Sequence, residues 1–119
     1  MPTPEDWWPN FPPTPKDHRP KKPDIWCRRF DNHINDTIRA LDQRSTEAVK
    51  GREFQAALLR AHSQYLSSQP DGARHFLEEV YAIASRAFTF YTARNNAELD
   101  PLISKLRFDL AGLAEVLSS

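Results

Sequence analysis

The stretch DPLISKLRFDLAGLAEVL, residues 100–117, carries the clearest helix in the chain. Asp100 can cap a helix start, and Pro101 suits the first helical position, where a missing N–H costs nothing. Ile103, Leu106, Leu110, Leu113 and Leu117 then recur at spacings of 3, 4, 3 and 4, and Leu99 and Leu102 extend the seam. A heptad-like stripe of this kind packs lengthwise against other helices, so it points to a bundle. Phe108 falls roughly 180° from the seam at ~100° per residue. It is therefore either packed beneath another segment or presented to a partner.

Working outward, the preceding segments obey the same grammar. Phe76, Val80, Ile83, Ala84, Ala87, Phe88, Phe90 and Tyr91 cover close to half of a helix circumference, the widest apolar arc in the chain. Ser67-Ser68-Gln69-Pro70-Asp71-Gly72 reads as a turn, with Asp71 available as the next cap. Before it, Phe54, Leu58, Ala61 and Tyr65 form one stripe, and Trp26, Phe30, Ile34, Ile38 and Leu41 form another that Asp24 can cap. The first stripe loses phase near Gly51, which predicts a helix end there; Ser45 is the alternative break, capping a longer second helix. The expectation is an all-α, four-helix antiparallel bundle of two hairpins, with helices near 24–50, 52–68, 72–95 and 101–117.

The N-terminus reads differently. Eight of the 10 prolines fall within residues 1–23, and the next is Pro70. Proline donates no backbone hydrogen bond and pushes its predecessor out of the helical region, so residues 1–23 are expected to form an extended arm and residues 24–119 the bundle. Trp7, Trp8 and Phe11 lie among these prolines. Disordered, solvating tails are poor in aromatics, so these rings need a burial site, on the chain's own bundle, a second protomer or another protein. A stiff polyproline-type frame loses little entropy on docking.

Charge separates the same two regions. Lys16, Arg19, Lys21, Lys22, Arg28 and Arg29 face only Asp17 and Asp24, a local excess of +4, whereas from Phe30 onward 10 basic residues face 12 acidic ones. A domain-wide basic field is absent. Nucleic-acid binding, as an alternative function, would run through those six basic residues.

Few groups suggest chemistry. Cys27 is the only cysteine, which excludes an internal disulfide and a cysteine-based zinc site. His75 and Glu79 read as a solvated i,i+4 contact, and His62, on the apolar side of its helix, as a partly buried, hydrogen-bonded residue. Three glycines in total exclude a phosphate-binding loop or dinucleotide fingerprint. Arg28 and His33, with four residues between them, resemble the Arg-x4–6-His motif of HEPN ribonucleases, themselves helical bundles. That resemblance, covering two residues, implies an arginine and a histidine meeting across a dimer interface to cleave RNA. In that family the motif lies in a late helix; here it opens the first.

The sequence thus predicts a non-catalytic protein–protein interaction module: an adaptor, an inhibitor or a small subunit of an assembly. Trp7, Trp8, Phe11 and Phe108 are the expected contacts, with no metal, cofactor or small-molecule substrate. No signal pattern or membrane-length apolar run is present, so a cytoplasmic location is expected.

Overall fold

The computed structural model describes residues 22–69 and 71–118. Trp7, Trp8, Phe11, Lys16, Arg19 and Lys21 lie outside them. Helices α1 (Pro23–Ala40), α2 (Thr46–Ser68), α3 (Ala73–Arg94) and α4 (Asp100–Ser118) follow in order, with a 3-10 turn over Ala97–Leu99 leading into α4. No strand occurs among the described residues, and the architecture is an all-α four-helix bundle. Both α2 and α4 pack chiefly on α1 and α3, which also touch each other across the middle. Phe30, Ile34, Val80, Ala84, Leu106 and Leu113 meet at its centre, each fully enclosed.

The first hairpin breaks at Leu41–Ser45, not at Gly51. The Ser45 hydroxyl accepts the Ala48 N–H at 3.1 Å and so caps α2. Gly51 lies inside α2, where a Cβ would stand 2.8 Å from the Tyr91 hydroxyl and 2.9 Å from Ile38 Cδ1. Close approach of three helices, rather than a chain reversal, requires the glycine there.

Three caps also differ from expectation. Lys22 occupies the N-cap of α1 and Pro23 opens the helix, so Asp24 lies in its first turn. Gly72, at φ 81°, stands before α3 in place of Asp71, a left-handed conformation that favours glycine. Asp100 is already helical, while the Asn96 side chain accepts the Glu98 N–H at 3.0 Å to start the preceding turn.

The seam of α4 keeps Leu106, Leu110 and Leu113 but is turned roughly 40° toward Leu102 and Asp109, at ~100° per residue. Leu99, Leu102, Leu106 and Leu113 are its deepest residues, whereas Ile103 and Leu117 are half-buried. Asp109 sits in phase with them and is only 2% exposed. A carboxylate therefore occupies a core position, and its partners come from α1.

Candidate functional site

Two polar constellations flank α1, and elementary helix geometry creates both. Arg29 and His33 are one turn apart on the face toward α4. Arg29 Nη2 meets Asp109 Oδ1 at 2.9 Å, and His33 Nε2 meets Asp109 Oδ2 at 2.6 Å. One carboxylate thus joins two α1 side chains across the interface. A buried carboxylate without such partners would cost several kcal/mol, about 3–5 when one member of a buried pair is removed. The Arg29 guanidinium also lies 6.0 Å from the Trp26 ring centroid, against the face of the indole. Histidine held by a carboxylate is the orienting half of many acid–base sites. Here both bonds bridge α1 to α4, which is the work of a clamp.

The other flank is open. Between α1 and α2 lies a groove of about 390 Å³ lined by Asp24, Cys27, Arg28, Asp31, Gln55, Ala56, Leu58, Leu59 and His62. Cys27, Leu58, Ala56 and Leu59 supply its apolar surface, and Asp24, Arg28, Asp31, Gln55 and His62 its polar one. Asp24 Oδ1 and His62 Nε2 are 2.9 Å apart, each side chain about a third exposed. His62 also stacks on Phe76, ring centroids 5.8 Å apart. The Cys27 thiol donates to the Leu58 carbonyl at 3.8 Å. Burial, reinforced by Asp31 and Asp24, pushes that thiol up to about 11. It is protonated at neutral pH and acts as a small apolar floor residue, since only the thiolate is nucleophilic.

Comparison of the chain with protein-family models, with curated proteins and with solved structures found no match.

Of the residues singled out from sequence, Lys22 and Arg28 are exposed, and Arg28 lines the α1–α2 groove. Arg29, offered as a phosphate contact, is engaged with Asp109. Arg28 and His33 face different neighbours: His33 borders a cleft with Thr37, Pro101 and Lys105, on the α4 side. Arg29, not Arg28, shares the face of His33. Phe108 is 7% exposed. His75 Nε2 and Glu79 Oε1 form an exposed i,i+4 contact of 2.9 Å. No group of three metal-ligating side chains occurs among the described residues, and none of their helices is long and apolar enough to cross a membrane.

Sequence reasoning missed Asp109. The signal that could have found it is its heptad step from Leu102, Leu106 and Leu113, which places an acid on an apolar seam opposite two basic residues spaced i,i+4. It also missed the pairing of Asp24 with His62, which depends on where α1 begins.

Proposed function

We propose that the protein is a non-catalytic interaction module, an adaptor, inhibitor or small subunit, that engages another protein through its aromatic arm and the α1–α2 groove. The observation that carries this reading is the groove's make-up and position. Apolar side chains of Ala56, Leu58 and Leu59 share its lining with Asp24, Arg28, Asp31, Gln55 and His62, the mixed apolar and polar make-up of protein interfaces. The groove begins at Asp24, next to Pro23, where the arm joins. Trp7, Trp8 and Phe11 supply the residue types that concentrate interface energy. The arm contributes aromatic side chains to the partner, and the groove receives the partner's own. Cys27 as a lone, free thiol suits a reducing, cytoplasmic setting.

The test is affinity capture with the intact chain, with residues 24–119 alone, and with a Trp7→Ala, Trp8→Ala double variant. A specific protein retained by the intact chain should be lost by both variants while circular dichroism stays helical. A groove variant, Leu59→Glu, should weaken the same capture. Capture that survives both the arm and the groove changes would refute the proposal, and salt-sensitive retention of RNA or DNA in place of protein would replace it with nucleic-acid binding.

A further inference from the structure

The outer face of α2 carries a second apolar stripe that the bundle does not use. Val49, Ala56, Leu59 and Leu66 follow at spacings of 7, 3 and 7, the a and d steps of a heptad. All four are exposed, Val49 at 43%, Leu59 at 65% and Leu66 at 52%. The stripe runs roughly 160° around the helix from the buried one of Phe54, Leu58, Ala61 and Tyr65, at ~100° per residue. Arg52 and Ser63 fill its remaining steps. The Arg52 guanidinium is turned back onto Gln43, donating to its carbonyl at 2.8 Å and its Oε1 at 3.3 Å, which keeps its charge away from the apolar line.

We propose that this stripe is the contact face of a symmetric dimer, in which α2 packs antiparallel against α2 of a second copy. The occupant follows from self-complementarity. A two-fold axis between residues 57 and 58 sets Val49 level with Leu66 of the second copy, and Ala56 level with its Leu59. The same contacts then repeat on the other side of the axis, as an isologous interface demands. The two leucine layers each join a smaller side chain to a leucine, and the layer between them sets Arg52 level with Ser63 of the second copy.

The flanking charges fit the same axis. Glu53 and Arg60 lie on one edge of the stripe, toward α3. In the antiparallel pair, Arg60 of the second copy is level with Gln55, ~3 Å along the axis from Glu53 at 1.5 Å per residue. Two long side chains reach across that offset, and the Glu53–Arg60 pair forms twice. In the single chain Glu53 has an exposed contact of 3.5 Å to Lys50, and Arg60 has no ion pair among the described residues. A parallel, in-register pair of α2 helices would instead bring Gln55 and His62 beside Arg60 and Ser67, with no opposite charges meeting. Residues 49–66 span ~27 Å, a strip smaller than the ~800 Å² per partner of a standard interface. The dimer is accordingly concentration-dependent.

Sedimentation velocity of the full chain, from about 5 µM to about 1 mM, should show a reversible monomer–dimer equilibrium. Leu66→Lys should weaken it at least ~10-fold, with the helical circular dichroism signal unchanged. Glu53→Arg and Arg60→Glu alone should each weaken it ~3-fold or more by setting like charges opposite twice, and combining them should restore it. A chain that stays monomeric throughout, or a dimer indifferent to Leu66→Lys, overturns the proposal. A double reversal no better than the singles overturns the antiparallel register. Ala56 and Leu59 line the α1–α2 groove as well as the stripe, so dimer and groove partner compete for them, whereas Leu66, Glu53 and Arg60 lie outside the groove and their variants can abolish the dimer while partner capture survives.

Discussion

Helix α1 presents a histidine–carboxylate pair on each flank, and burial separates their roles. Toward α4, His33 and Asp109 meet at 2.6 Å with side chains 11% and 2% exposed, and Arg29 closes the group. Toward α2, Asp24 and His62 meet at 2.9 Å beside an open groove. Water can replace either partner in the second pair. In the first, Arg29 is a quarter exposed but Asp109 is enclosed, so losing either partner leaves that carboxylate short of a hydrogen bond in a largely apolar setting. Similar side chains therefore make a structural clamp on one side and a solvent-accessible rim on the other.

The sharpest way to break this contrast is Arg29→Ala. It should destabilise the bundle by about 3 kcal/mol in chemical denaturation, the lower end of the buried-pair range because His33 still holds Asp109 Oδ2. Replacing the pair together, Arg29→Met with Asp109→Leu, should recover most of that loss, since buried ion pairs are often matched by apolar residues of similar volume. A single-variant loss below about 1 kcal/mol would mean the clamp is solvated like an exposed pair.

The groove side has its own buried group, and its effect should appear only at high pH. The Cys27 thiol titrates near 9.0 when free and near 11 in the fold, raised first by burial and then by Asp31 and Asp24. The folded state thus holds its proton where the unfolded state has lost it. Its contribution is complete below pH 9.0 and is lost as pH rises toward 11. About two pK units correspond to roughly 2–3 kcal/mol. Denaturation midpoints should therefore fall between those values. Cys27→Ala should flatten the early part of that fall. Tyr91, raised from 10.0 to about 12 by burial and Glu47, sustains the later part. An unchanged slope in Cys27→Ala would show that the thiol is not the group responsible.

The contrast also explains what was legible in the sequence. Apolar periodicity revealed all four helices because burial repeats every three or four residues, and Phe30, Ile34, Leu58, Val80 and Leu106 are all enclosed. The hairpin break was misplaced because a glycine can serve close packing as well as chain reversal. At Gly51 the neighbours Tyr91 and Ile38 decide the matter, and both come from other helices. Asp109 was invisible for a related reason. A polar residue on an apolar seam reads as an interruption until the fold supplies Arg29 and His33, some 76–80 residues earlier in the chain. Trp26 and Phe30, read as part of one stripe and both buried, needed no such distant information. The α1–α2 groove did, since it exists only once Asp24 and His62 are side by side.

The smallest expected effect completes the comparison. His62→Gln keeps a polar group at the rim of the groove and removes a pair whose members are 32% and 30% exposed. Exposed pairs contribute about 0–1 kcal/mol, so the denaturation midpoint should barely move. Part of any loss would come from the stacking of His62 on Phe76, which His62→Phe preserves. If the groove serves a partner, capture should weaken in His62→Gln far more than stability does, whereas Arg29→Ala should reduce both together through unfolding. A His62→Gln variant that lost more than about 2 kcal/mol would place this pair in the same class as a buried one. The division of α1 into a clamped flank and a receptive flank would then fail.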